Sequence, residues 1–299
     1  MNKYIKGAFT ASIIAAAAAI TSCGEKGDTS SKTVYWTAIP DKSGTDLAER
    51  YKPLTEYLSS KLGVEFKYRN SNSYSASVTS FSQGETHLAW FGGVTGVQAR
   101  QKVEGSLAIA QGEIDPKYKS FFIAHKDTGL QPSETFPMAI KDLTFTFGST
   151  SSTSGRVMPT HFIKQETGKL PEDFFSKPFK FTGKRSHGGV AADVSNGAVQ
   201  AGVMSYSTYN KMLKKGEIDQ DTVIKIWETP DYYDYNFTIH PAIEKLHGEG
   251  FMKKVQQALL ECEDPAVLDC INRKKLISAK NDDFNNIAEI MKSIDFDAK

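Results

Sequence analysis

The sequence predicts an α/β chain folded as two lobes, each a mainly parallel sheet flanked by helices, joined by two crossings. Three observations predict it. Strand-like and helix-like segments alternate along most of the chain, the pattern of parallel sheets covered by helices on both faces. A loop carrying Gly129, Pro132 and Pro137, and a second break at Thr229-Pro230, divide that alternation. The segments after the second break then read as a return to the first lobe. The expected organisation is therefore 33–128 in the first lobe, 129–229 in the second, and 230–299 back in the first.

The N-terminus comes first. Met1–Gly7 carries Lys3 and Lys6 and no acid, and Ala8–Ile20 is apolar or small, ending in Ile20-Thr21-Ser22-Cys23. This is the layout of a secretory signal, 1–22, whose apolar core is shorter than the ~20 residues a membrane span needs. The four closing residues resemble a bacterial lipobox, so Cys23 is the expected lipidation site and 23–32 a polar tether. An ordinary secretory signal with a chance cysteine is the plainer alternative. Removing 1–22 from 299 residues leaves 277, with 34 basic against 35 acidic side chains, so the formal charge passes from +1 to −1. Mixed charge of this kind excludes a polybasic nucleic-acid binder. Lipid at Cys23 is then the only expected contact with a membrane.

Thr33–Ile39 is a β-rich run stopped by Pro40-Asp41, and Asp46-x-x-Glu49 offers a capping-box start. Leu47, Tyr51, Leu54, Leu58 and Leu62 then recur at helical spacing up to Gly63. Val64–Tyr68 alternates as a strand, Tyr74–Gln83 reads as a short helix closed by Gly84, and His87–Phe91 is an apolar strand. Leu107–Gln111 and Ser120–Ala124 are further strands assigned to the first lobe. In the second lobe the expected order is strand Leu143–Gly148, helix Gly155–Thr167, helix Gly189–Asn196, strand Val199–Met204, helix Ser207–Lys215 and strand Val223–Glu228. Tyr235–His240 and helices from Gly248 onward complete the return. Cys262 and Cys270 either pair in an oxidising compartment or remain buried thiols. They have no CxxC or histidine cluster beside them, and no metal or other cofactor is expected.

The most informative run is Phe147-Gly-Ser-Thr-Ser-Ser-Thr-Ser-Gly-Arg156. It follows a strand and opens a helix, whose first N–H groups lack intrahelical partners and lie at the positive end of the dipole. The hydroxyls of Ser149–Ser154 add donors, so the turn suits a tetrahedral oxyanion without a Lys or Arg. A serine-rich N-cap is the plain alternative.

Ser152-Thr153-Ser154-Gly155 with Met158-Pro159 resembles the S-T-S-G…P segment of phosphonate and phosphite binding proteins of ABC transporters. Leu88-Ala-Trp-Phe-Gly-Gly-Val-Thr-Gly96, preceded by Tyr74-Ser-Ala, and Trp227-Glu-Thr-Pro230 with Asp234-Tyr235 resemble two further stretches of that family. The likeness runs from about Val34 to Phe284. It implies a type II periplasmic-binding-protein fold, no catalysis, and a monomer that hands a small oxyanion to an ABC permease driven by its ATPase. It also implies a ligand shell of Tyr74, Phe91, Gly92, Ser152, Thr153, Ser154, His187 and Asp234 or its neighbour Tyr235. An acidic residue that the family carries near Ser207 is absent, which counts against an amino-substituted phosphonate. Trp90-Phe-Gly-Gly, Ala108–Gly112 and Asn281–Phe284 resemble a branch of the family proposed to serve selenate transport.

Asp234 offers a chemical test between these ligands. A carboxylate facing the ligand accepts a proton from a phosphonate or phosphite O–H but repels fully ionised selenate or sulfate. Two other classes are a hydrolase, with Ser152 or Ser154 as nucleophile and His187 as base, and a sensory lipoprotein. The turn is not a G-x-S-x-G elbow, and no third triad member is visible.

Overall fold

The computed structural model describes residues 32–41, 47–182 and 186–296, which form one compact unit from Lys32 onward. The signal, Cys23 and its tether up to Ser31, the Asp46 cap and the Lys184-Arg185 pair lie outside the described residues. No helix among the described residues is long and apolar enough to cross a membrane.

In chain order the strands are β1 (Val34–Ala38), β2 (Phe66–Tyr68), β3 (Leu88–Phe91), β4 (Leu107–Gly112), β5 (Ser120–His125), β6 (Phe145–Phe147), β7 (Lys180–Phe181), β8 (Ala201–Ser205), β9 (Val223–Glu228), β10 (Asn236–Ile239) and β11 (Leu276–Ser278). They make two sheets, ordered β11-β4-β10-β3-β1-β2 and β7-β6-β8-β5-β9. β1 and β3 are almost continuously buried because helices cover both of their faces. One such helix, α1 (Leu47–Leu62), buries Tyr51, Leu54 and Leu58 and stops where Gly63 takes a left-handed φ of 66°.

Two expectations are corrected here. β5 does not belong to the first sheet: it pairs antiparallel with β8 and β9, so the chain crosses between the sheets within 113–119 rather than in the loop from Gly129. The sheets are also mixed rather than mainly parallel. β1/β2, β1/β3, β6/β7 and β6/β8 run parallel, while every pairing of β5 and β10, and that of β11 with β4, runs antiparallel. The reason is topological. β5 and β10 arrive from the other lobe through short connections, whereas a parallel neighbour within one lobe needs a crossover helix.

The two connections, 113–119 and 229–235, lie side by side. Tyr118 and Tyr232 exchange both backbone hydrogen bonds, at 2.9 and 3.0 Å, in an isolated antiparallel bridge. The lobes are therefore joined by a short two-stranded ribbon.

Cys262 and Cys270 are buried thiols, not a disulfide. Cys270 Sγ donates to the carbonyl of Val267 at 2.8 Å, and burial pushes the Cys262 thiol above its usual range. The expected result is a melting temperature unchanged by dithiothreitol. A fall on reduction, measured by calorimetry, would mean that the two thiols pair in solution.

Candidate functional site

Helix starts are the local structures that build the site. α2 (Tyr74–Ser82) begins at Ser73, whose side chain accepts from Ala76 N–H, and this fixes Tyr74 in its first turn. β3 runs directly into Gly92 and α3 (Gly93–Lys102), a helix with no amphipathic signal because nearly its whole first half is buried. Across from it, Ser152 caps a π-turn, Thr153–Val157, by accepting from Gly155 N–H at 3.0 Å, and α4 (Met158–Thr167) continues it. The helix His187–Ser195 is capped in the same way by Ser186.

The first turn of α3 holds the lobes together. Gly93 N–H donates to Asp234 Oδ1 at 3.0 Å, and Val94 N–H donates to Thr153 Oγ1 at 3.0 Å. These residues come from the second crossing and from the serine/threonine turn of the other lobe. The approach is close enough to need glycine. A Cβ at Gly92 would meet Thr153 Oγ1 at 3.0 Å and Asp234 Oδ1 at 3.2 Å, and one at Gly155 would meet Ser152 Oγ at 2.9 Å.

His187 is oriented from behind. Its Nδ1 accepts from Ser205 N–H at 3.2 Å, which assigns the ring proton to Nε2, 3.4 Å from Ser154 Oγ. Ser120 Oγ donates to the carbonyl of Ser154 at 2.7 Å and meets the Tyr232 hydroxyl at 2.6 Å, which steadies the turn. Tyr74 is buried with its phenol in hydrogen-bonding reach of Ser152. Burial first, and the neighbouring Asp41 charge second, push its titration well above the usual phenol range.

Asp234 is 1% exposed. Its backbone N–H donates to the carbonyl of Asp115, which fixes where the carboxyl points, and Oδ2 has no hydrogen-bond partner. Burial raises its pKa to about 7, aided by the Asp115 charge and opposed by hydrogen bonds from Gly93, Thr153 and Ser154.

The structure thus brings Tyr74, Gly92, Ser152, Thr153, Ser154, His187 and Asp234 together. Tyr235 is buried beside them, but its hydroxyl donates to Asp41 Oδ2 at 2.8 Å and its ring stacks on Trp90. Of the two neighbours, Asp234 is the one whose carboxyl meets Thr153 and Gly93. The Phe91 ring packs edge-on against Phe81 in the core, 5.6 Å between centroids, so this residue reaches the site through the backbone that leads into Gly92.

Sequence reasoning missed three contributors. Asp41, read only as a strand stop, is buried beside Tyr74 with Oδ1 unpartnered. Asp115 and Arg273, separated by 158 positions, form a fully buried ion pair in which Arg273 Nε donates to Asp115 Oδ2 at 2.8 Å. The Arg273 guanidinium lies over the rings of Trp90, Tyr118 and Tyr235, at 5.3, 5.6 and 4.9 Å from their centroids. No spacing pattern links residues this far apart. The Ser207 hydroxyl meets that of Tyr118. Among the described residues no group of three or more His, Cys, Asp or Glu side chains could hold a metal ion.

The structure thus gathers two facing helix starts, several hydroxyls, one imidazole and one carboxyl in a single buried cluster. Comparisons with known proteins give the family. Residues 36–284 match the family described as periplasmic substrate-binding protein of a phosphonate ABC transporter. A probable phosphite-binding protein of an ABC transporter from Prochlorococcus marinus is 36% identical over 260 residues, covering 85% of this chain and 86% of the relative. The phosphonates-binding periplasmic protein of Escherichia coli is 23% identical over 201 residues, covering 67% of this chain and 58% of its own. Among solved structures, the Prochlorococcus marinus protein in complex with methylphosphonate superposes with a TM-score of 0.82 at 34% identity, covering 89% of this chain and 99% of that one. A binding component of a phosphonate transporter from Pseudomonas aeruginosa superposes at 0.72 with 18% identity, over 86% and 85% of the two chains, and shares the fold.

Proposed function

This chain belongs to the family of periplasmic phosphonate and phosphite substrate-binding proteins of ABC transporters, which are transport components and not enzymes; we propose that its own ligand is a small phosphorus oxyanion that keeps one proton, such as phosphite or methylphosphonate. The observation that carries this reading is Asp234: a buried carboxyl with one oxygen unpartnered, beside Thr153, Ser154 and the first turn of α3.

Hydroxyls of Ser152, Thr153 and Ser154, the first amides of their turn, the Tyr74 phenol and the His187 Nε2–H supply donors to the oxyanion oxygens. Asp234 takes the remaining O–H. One proton is thus shared between ligand and protein, so the pair carries one negative charge less than two separate anions would. Selenate brings no proton, and an ionised Asp234 opposes it. Closure about the ribbon at Tyr118 and Tyr232 removes water from these bonds and strengthens them. The interlobe bond from Val94 N–H to Thr153 Oγ1 is a contact that closure makes.

Cys23 is the lipid attachment point, and the closed protein delivers its ligand to a permease energised by an ATPase; both rest on the N-terminal motif and the family. Cys23→Ser should move the protein from the membrane fraction to the soluble periplasm, and an unchanged distribution would retire the anchor. Calorimetric titration with phosphite, methylphosphonate, phosphate, sulfate and selenate tests the ligand. We expect binding of phosphite or methylphosphonate far tighter than of sulfate or selenate. Tight selenate binding with no phosphorus ligand bound would overturn the assignment and favour the selenate branch.

A further inference from the structure

Three buried carboxylates surround the proposed oxyanion site, and each is held differently. Asp115 is paired with Arg273, and Asp234 accepts from the first turn of α3. Asp41 is the third. We propose that Asp41 is a specificity-determining residue, a negative charge beside the ligand that disfavours doubly charged oxyanions and tolerates those that keep a proton. This inference rests on the ligand class proposed above and adds a second source of selectivity to Asp234.

Asp41 follows β1, whose parallel neighbour β3 leads into Gly92, so both lie at one edge of the first sheet. Ligands of open α/β sheets sit outside these strand ends. Three contacts place the residue among members of the site. Its backbone carbonyl accepts from His187 N–H of the other lobe at 3.2 Å. Its Oδ2 accepts from the hydroxyl of Tyr235, the neighbour of Asp234, at 2.8 Å. Its charge reaches the buried Tyr74 phenol, which lies beside Ser152.

No cation offsets Asp41 through a hydrogen bond among the described residues. Oδ1 has no partner, and Oδ2 is bonded by a neutral phenol. Arg50 shares Tyr51 and Tyr68 with Asp41 as neighbours, yet its Nε donates to the carbonyl of Cys270 at 2.7 Å. The residue is only 4% exposed, so water screens its charge weakly. Repulsion grows with the ligand's own charge, and a dianion such as sulfate meets about twice the penalty of a singly charged phosphonate.

The test is calorimetry on the full chain at neutral pH, with methylphosphonate as ligand and sulfate as its competitor. It compares the wild type with Asp41→Asn and Asp41→Ser. Both variants keep an acceptor for the Tyr235 hydroxyl and lose the charge. Sulfate affinity should rise relative to methylphosphonate by about threefold to thirtyfold. A merely structural role would weaken both anions together. The fall of methylphosphonate affinity above neutral pH, expected from the proton shared with Asp234, should survive both substitutions. No relative gain for sulfate in either variant overturns the proposal, as does a pH profile flattened by Asp41→Asn. A wild type that prefers sulfate or selenate would sink the phosphorus assignment separately, because the ratio of variant to wild type still reports on Asp41.

Discussion

Asp234→Asn weakens phosphite and methylphosphonate binding at pH 7 by roughly 10- to 100-fold, the worth of a charge-assisted hydrogen bond, and it removes most of the pH dependence of binding. In the proposed binding mode the wild-type site holds ligand and carboxyl with one shared proton. Above pH ~7 that proton is lost from both partners, and affinity falls by about tenfold per pH unit. The asparagine amide of the variant carries no charge to lose and takes up no proton, so its profile flattens and its discrimination against sulfate and selenate shrinks. In the wild type those two anions should bind better as pH falls below about 7, where Asp234 itself becomes protonated.

The ligand-free protein provides a control, because its stability also falls as the Asp234 proton is lost. The folded-state pKa of Asp234 is raised, so its contribution to stability is full below the ordinary carboxylate range near 3.8. It is lost as pH rises through about 7. Thermal unfolding of the wild type across that window, compared with Asp234→Asn, should differ in slope. Parallel curves, together with an unchanged ligand profile, would mean that Asp234 does not face the ligand.

Arg273→Met produces the largest expected loss of stability, about 3–5 kcal/mol. It leaves the Asp115 carboxylate, wholly buried, with its Gly112 N–H bond but no opposite charge. The Asp115 carbonyl also receives the Asp234 backbone N–H, so the damage reaches the site. Chemical denaturation should report the loss, and ligand affinity measured below the melting range should fall as well. Gly112→Ala gives a second handle, because a Cβ there would stand 2.2 Å from Arg273 Cδ. If Arg273→Met melted within error of the wild type, the ion pair would not be what holds the two crossings to β3.

Strand and helix identity was largely legible in the sequence because short-range patterns set it. Val34–Ala38 and Leu88–Phe91 are apolar runs, α1 repeats its leucines at helical spacing, and Val223–Glu228 is a strand over the very residues expected. α3 was invisible for a physical reason. Gly93-Val-Thr-Gly96 is poor in helix formers, and its start is secured by Asp234 and Thr153 from elsewhere in the chain.

The order of side chains was enough to mark a hydroxyl-rich helix start, with no cation in the run Ser149–Ser154, as the proposed anion-binding feature of a chain with almost no net charge. Three-dimensional packing was needed to show that β5 lies in the second sheet, that Asp234 rather than Tyr235 meets that turn, and that Arg273 pairs with Asp115. Local propensity and capping act over a few residues and leave a trace in neighbouring side chains. The bonds that assemble the site join residues 59, 141 and 158 positions apart, and packing alone chooses such partners.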